Sequence, residues 1–290
     1  MGCEESRVTA PTNGARNHTA WAPYSFFEAE LDWETTGRPP FALLILNLQI
    51  TNKKFFAALW KNSRLQVCAD GGANRLYDSL DEKERAQFLP DRIIGDLDSV
   101  RDDVRAYYQA RGVKITQDSD QDSTDFGKCM KYIATHDPPD SFVTPSTVQA
   151  SLSAEGVRVQ HPKMTVVALG GFGGRVDQSF HSIHAMYVAQ QGPGLPRQMY
   201  LVSDQNVTFL LAKGLNLIRT PLSTLGPCCG IIPVGGPSTI TTQGLEWNLT
   251  NAETKFGGLV STSNHTVADD VSIETTEPVV FTIEFRDLDP

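Results

Sequence analysis

Two aspartates one residue apart, Asp96 and Asp98, follow the apolar Ile93-Ile94-Gly95 and precede a helix-like stretch over residues 100–112. If Arg92 to Ile94 is a strand, the pair sits at its C-terminal end, where ligands bind in an open α/β sheet. Neighbouring carboxylates repel, and each is relieved by a cation. The simplest partner is Mg²⁺, a hard ion held by a few carboxylates and substrate phosphates. The competing reading is an exposed acidic turn in which Asp98 or Ser99 caps the next helix. This stretch alone supports both.

Other residues could share the work. Asp118, Asp120, Asp122 and Asp125 fall within eight positions, a cluster that is costly without a cation. A solvated helix cap favoured by the helix dipole is the alternative. Asp122 and Asp125 share a face if the helix reaching residue 135 begins near Asp122. An EF-hand is excluded, because its glycine and terminal glutamate are missing. Asp70-Gly71-Gly72-Ala73-Asn74 closes an apolar run. Such a turn lets backbone N–H groups approach a phosphate at a helix N-terminus, though a tight turn without ligand reads the same way. A third junction carries Gly170, Gly171, Gly173, Gly174, Arg175 and Asp177, and arginine suits bidentate phosphate contacts. His181 and His184 read as ordinary helix-face histidines rather than a metal pair.

The elements that must position these residues follow from periodicity. A continuous apolar run at residues 42–46 predicts a buried parallel strand, with further strands at 65–69 and 164–169 and helical patterns at 53–62, 75–80, 82–88 and from the end of the 170–178 junction to 191. Beyond residue 214 the helical pattern stops. Short β-type runs recur about every ten residues, at 215–219, 228–233, 238–242, 245–249, 259–262, 271–276 and 279–285, a spacing that predicts a sandwich or barrel. The fold class is therefore α/β: a Rossmann-like, mostly parallel sheet with helices, followed by a small all-β sandwich. Residues 1–35 read as an N-terminal extension, 36–212 as the α/β catalytic domain and 213–290 as the sandwich, with a surface insertion at 138–162 rich in Ser, Thr, Pro and Gln.

The 290 residues are 40% hydrophobic and carry a net charge of −9. That balance argues against a nucleic-acid or anionic-membrane surface as main partner. No apolar run approaches a membrane span, and the polar first twenty residues are not a secretory signal. Five cysteines without metal-ligand spacing fit a reducing cytosol. The expected location is cytoplasmic.

Three strand-to-helix junctions and the 117–125 loop fall on one sheet edge, and this convergence is more specific than any single motif. It predicts Mg²⁺ on carboxylates, phosphates on glycine amides and Arg175, and phosphoryl-type chemistry on a nucleotide. A P-loop is absent. The motifs Cys68-Ala69-Asp70-Gly71-Gly72-Ala73-Asn74-Arg75-Leu76-Tyr77, Gly95-Asp96-Leu97-Asp98-Ser99, Asp120-Gln121-Asp122-Ser123-Thr124-Asp125-Phe126 and Gly173-Gly174-Arg175-Val176-Asp177-Gln178 resemble the eukaryotic thiamine pyrophosphokinase family. In the second domain, Gly244-Leu245-Glu246-Trp247-Asn248-Leu249 and Leu259-Val260-Ser261-Thr262-Ser263-Asn264 do the same. The resemblance runs from about residue 40 to 285 and leaves the extension and the insertion uncovered.

The resemblance implies transfer of an intact diphosphate from ATP to the hydroxyl of thiamine, releasing AMP. It implies a homodimer with active sites between subunits, the α/β domain of one chain facing the sandwich of the other. Asp96, Asp98 and Asp125 become the expected Mg²⁺ ligands, assisted by Asp70 from the first loop, with Arg175 offsetting diphosphate charge. Asp70, Gly71, Gly72, Asn74, Asp122, Thr124, Gly174 and Asp177 are expected on the nucleotide side. Gln121, Trp247, Ser261, Ser263 and Asn264 are expected around thiamine, with Trp247 as stacking platform for the cationic thiazolium. A phosphatase using Asp-x-Asp and a non-catalytic thiamine or nucleotide sensor are the rival functions. The Gly-Gly-Arg-x-Asp and Trp-Asn-Leu motifs have no place in the phosphatase scheme. His265-Thr266-Val267 carries no interpretable motif.

Overall fold

The structure, a computed structural model, describes residues 18–27, 40–137, 141–143, 157–159, 163–191 and 197–286. In chain order, β1 is His18–Trp21, β2 Phe41–Ile45, α1 Lys53–Asn62, β3 Leu65–Ala69, α2 Gly72–Ser79, α3 Glu82–Arg85, β4 Arg92–Gly95, α4 Asp102–Ala110, β5 Lys114–Gln117 and α5 Asp125–Ala134. A short hairpin, β6 Ser141–Val143 with β7 Val157–Val159, lies in the expected insertion, most of which is outside the described residues. Then come β8 Thr165–Leu169, α6 Val176–Gln191, β9 Met199–Val202, β10 Asn206–Leu211, β11 Gly214–Arg219, β12 Leu225–Ile232, β13 Ser238–Gln243, β14 Ala252–Thr254, β15 Ser261–His265, β16 Asp270–Thr275 and β17 Val279–Phe285.

One sheet runs β15-β12-β17-β10-β9-β8-β2-β3-β4-β5. Its half from β9 to β5 is parallel. Strand β2 is fully buried along its length. Phe41, Leu43 and Ile45 pack on one face, with Phe55, Phe56 and Leu59 of α1 and Val104 and Tyr108 of α4. Ala42 and Leu44 pack on the other, with Phe126, Cys129 and Ile133 of α5 and Met186 of α6. A strand buried on both faces must read as a continuous apolar run, and this one does. The chain moves outward from β2 through β3, β4 and β5, then returns to β8 on the other side of β2. The order reverses between β2 and β8, and a crevice opens at such a switch point.

Past β9 the same sheet continues antiparallel through β10, β17, β12 and β15. The change near residue 213 is thus a change of strand direction within one sheet, plus a second sheet of order β1-β11-β16-β13-β14. Ile218, Ile240, Val271 and Ile273 of the second sheet share a core with Phe209, Ile231, Phe281 and Ile283 of the first, forming the sandwich.

Two features differ from the sequence expectations. Residues 245–249 form a tight turn, not a strand, held by Asn248, whose Oδ1 accepts from Leu245 N at 3.2 Å and whose Nδ2 donates to Leu245 O at 2.8 Å. The extension contributes a strand: β1 pairs in parallel with β11. Its Trp21 stacks on Phe209 at 4.9 Å between centroids and donates from Nε1 to the buried Asn216 at 3.0 Å. Phe26 packs on Phe41 and Tyr200.

Candidate active site

A cleft of about 710 Å³ lies at the C-terminal ends of the parallel strands, over the switch point. The loop after β2 supplies Asn47 and Leu48, and the loop after β3 supplies Asp70 and Gly71. Asp96 follows β4, and residues 120–125 follow β5. Gly170, Gly171, Gly173, Gly174 and Arg175 follow β8.

At its floor the carboxylates of Asp70, Asp96 and Asp125 approach within 4.8 Å of one another. The backbone is bent to achieve this. Asp70 has φ of 40°, in the left-handed region, where aspartate is tolerated better than most side chains. Leu97 has φ of 68°, a conformation held against its bulk by the Asp98 amide, which folds back onto Asp96 Oδ1 at 3.2 Å. Asp125 opens α5, behind the cap in which Thr124 Oγ1 accepts from Gly127 N at 3.2 Å. Gly95 lets the loops converge, because a Cβ there would lie 2.6 Å from Asp70 Cβ and 3.1 Å from Asp125 Oδ1. Gly95→Ala is therefore expected to cost about 1–3 kcal/mol of stability and to lower turnover at least about tenfold. A thermal melt beside an activity assay checks both.

The electrostatics call for a cation. Asp70 is 4% exposed, and its Oδ1 is buried without a hydrogen-bond partner. Burial pushes its carboxyl above the ordinary range, and the Asp125 and Asp96 charges push the same way. Lys128 offsets part of this charge. Its buried Nζ donates to Asp125 Oδ1 at 3.2 Å. Three clustered carboxylates, one with an orphaned buried oxygen, fit a hard divalent ion such as Mg²⁺.

The expected metal set was Asp96, Asp98 and Asp125, but the structure groups Asp70 with Asp96 and Asp125 instead. Asp98 does not line the cleft, and its carboxylate accepts from Ser99 Oγ at 2.8 Å. Gly71, Asp122, Thr124, Gly174, Arg175 and Gln121 line the cleft, but Gly72, Asn74 and Asp177 do not. Asn74 braces the loops, donating to Ser99 O at 2.7 Å and accepting from Arg101 N at 3.1 Å. Gly72 lies against the sheet, where a Cβ would come within 2.3 Å of Ile45 O. Asp177 holds the Arg175 guanidinium at 3.1 and 2.5 Å. Asp122 precedes α5, so it does not share a helix face with Asp125.

Trp247, Ser261, Ser263 and Asn264 are not in this cleft. They lie at the far end of the long sheet and on the turn beside it. There Asn264 Oδ1 accepts from Trp247 N at 3.2 Å, and its Nδ2 donates to Trp247 O at 2.9 Å. The indole is 55% exposed.

Sequence reasoning missed Lys128, Asn47, Arg75 and His181, all of which line the cleft. Lys128 sits three residues after Asp125 on a helix, a spacing that could have revealed it. Asn47 follows an uncharged loop with no signal, and it accepts from Arg75 Nε at 2.8 Å. His181, on its pattern an ordinary helix-face residue, has its Nε2 2.8 Å from Thr124 Oγ1. Burial, then the neighbouring His184, hold its pKa below the ordinary value.

Comparison with known proteins agrees with the fold. Residues 56–194 match the thiamin pyrophosphokinase catalytic domain, and residues 216–280 match the thiamin pyrophosphokinase vitamin B1 binding domain. The chain is 36% identical over 257 residues to thiamine pyrophosphokinase 1 of Oryza sativa subsp. japonica, covering 85% of this chain and 88% of that one. The crystal structure of yeast thiamin pyrophosphokinase superposes with a TM-score of 0.78 at 31% identity, covering 97% and 95% of the two chains. Thiamin pyrophosphokinase from Candida albicans gives 0.76 at 28% identity, covering 96% and 95%. With these matches, the mixed α/β fold and the cleft at its switch point are those of a diphosphotransferase. The chain belongs to the thiamin pyrophosphokinase family.

Proposed function

We propose that this chain transfers the diphosphate of ATP to the hydroxyl of thiamine, giving thiamine diphosphate and AMP, through a Mg²⁺ site formed by Asp70, Asp96 and Asp125. The observation that carries this is the carboxylate trio, within 4.8 Å, at the floor of the cleft. A Mg²⁺ ion bound there would neutralise triphosphate charge and polarise the reacting phosphorus. Asp70 and Asp96 hold their carboxylates on rigid strand ends, and Lys128 fixes Asp125. Arg175, kept near the glycine loop by Asp177, offsets charge on the transferred diphosphate. Catalysis comes mainly from positioning and charge neutralisation as the thiamine oxygen attacks the β-phosphorus and AMP leaves.

The active unit is a homodimer with shared sites. Gln121 lines the cleft while Trp247, Ser261, Ser263 and Asn264 stand outside it, and in this reading the partner's Trp247 turn completes the site. Exposed apolar side chains support a covered surface: Val176, Phe180 and Val188 along α6, and Trp247, Phe256 and Leu259 around the turn. Mixing Asp96→Asn with Trp247→Ala protein at low thiamine should restore about a quarter of wild-type rate, since half the dimers are mixed and each regains one intact site. No recovery would mean that each chain works alone.

Trp247→Ala should raise the KM for thiamine about five- to thirtyfold, the value of a desolvated cation–π contact, and leave the KM for ATP nearly unchanged. Equal effects on both would remove Trp247 from the thiamine site. The acidic composition and the free thiols of Cys68, Cys129, Cys228 and Cys229 support a cytoplasmic setting. No helix among the described residues is long and apolar enough to cross a membrane.

A further inference from the structure

Trp247 is over half exposed, and its indole makes no hydrogen bond among the described residues, although its backbone is pinned on both sides by Asn264. An exposed indole has several rotamers. Freezing one on binding a ligand costs affinity unless the ring is already held. The ring that packs against it is the His265 imidazole, 5.2 Å between centroids and tilted 45°. At that spacing the two rings are in contact and leave no room for a ligand between them, so His265 supports one side of the indole and leaves the other side open.

His265 is itself held. Its Nδ1 lies 2.7 Å from Glu246 Oε2, and the two residues are also joined by Glu246 N donating to His265 O at 2.8 Å. Flanking bonds fix this pairing, with Leu245 bridged to Thr266 and Val267 N donating to Gly244 O at 3.0 Å. The carboxylate and imidazole are 46% and 36% exposed. An ion pair that exposed adds little to stability, so its main consequence is geometric.

We infer that Glu246 and His265 are positioning residues that hold the Trp247 indole ready for the thiamine ring. Glu246 fixes the imidazole, and the imidazole fixes the indole. This rests on Trp247 being the thiamine platform. It adds two residues to the substrate side of the reaction, one of them in the His265-Thr266-Val267 stretch that no motif explained.

The test is steady-state kinetics of full-length variants, with 5-fluorotryptophan labelling to watch the indole directly. His265→Ala should raise the KM for thiamine about two- to tenfold, the range expected for losing one pre-ordered side chain. Its kcat and its KM for ATP should stay within a factor of two. Glu246→Ala should shift KM the same way. Glu246→Gln, whose amide oxygen still accepts from Nδ1, should restore it. The Trp247 ¹⁹F resonance, assigned by its loss in Trp247→Phe, should move toward an averaged position in His265→Ala before any thiamine is added. If Trp247→Ala raises the KM for thiamine but His265→Ala changes neither that KM nor the resonance, the positioning role is wrong and the platform stands. If Trp247→Ala has no effect on that KM, both fall. A fall in kcat or a rise in the KM for ATP in His265→Ala would also overturn the role, since it would show a general structural defect.

Discussion

Asp70→Asn abolishes diphosphate transfer and, without Mg²⁺, raises the melting temperature at neutral pH. Turnover should fall at least about 10²-fold, as when one preorganised charge contact to a transition state is removed. The stability gain has a separate cause. Asp70 is almost fully buried beside Asp96 and Asp125, with one oxygen unpaired, and the fold holds its pKa above the ordinary carboxylate value. For such a group the contribution to stability is present below the unfolded-state pKa and is lost as pH rises through the folded-state value. At neutral pH an ionised Asp70 therefore burdens the metal-free protein, and asparagine, which tolerates φ of 40°, removes the burden. The gain should shrink as pH is lowered from the folded-state pKa toward about 4, and be gone below that, where the carboxyl is neutral in both states. It should also shrink as Mg²⁺ is added, because the ion stabilises wild type more than the variant. Melting curves with and without Mg²⁺ across pH, beside an activity assay, decide the matter. A variant that keeps its activity, or one that loses stability at neutral pH, contradicts the assignment.

Lys128→Met has the opposite effect on stability and the same effect on rate. The Lys128 side chain is only 2% exposed, and its ammonium is the buried cation facing the trio. Removing it leaves Asp125 partly buried and unpaired, at a cost of about 2–3 kcal/mol, below the range for fully buried pairs because Asp125 keeps some solvent contact. Turnover should also drop by about 10²-fold, because Asp125 Oδ1 would keep the Asp96 amide at 3.3 Å but lose the ammonium that helps to fix it. Denaturant unfolding and steady-state kinetics check the two effects. Full stability in the variant would show that solvent, not Lys128, balances Asp125.

Much of this architecture is legible in residue order. Runs such as Phe41–Ile45 and Val166–Leu169 are apolar throughout because both faces of the sheet are covered. The loops at their ends stand out because glycines and carboxylates interrupt those runs. Choosing among carboxylates was harder. Asp96 and Asp98 look equivalent in sequence, but the left-handed turn at Leu97 separates them, and no local pattern reports a positive φ at leucine. Asp70 joins the trio because β3 and β4 are neighbours, which is a property of topology. The 245–249 run resembles a strand because Leu245, Trp247 and Leu249 alternate. Asn248 closes it into a turn through bonds that alternation cannot encode. The parallel pairing of β1 with β11 joins residues about 200 positions apart, too remote for local periodicity to suggest.

The central claim is transfer of an intact diphosphate from ATP to thiamine by a site built on Asp70, Asp96 and Asp125. The most direct measurement supplies the protein with thiamine, Mg²⁺ and ATP labelled at the β-phosphorus, and follows the label by chromatography. The expected result is label in thiamine diphosphate, one AMP formed for each product molecule, and no reaction when Mg²⁺ is chelated. Formation of ADP with thiamine monophosphate, or release of the label as inorganic phosphate, would contradict the account.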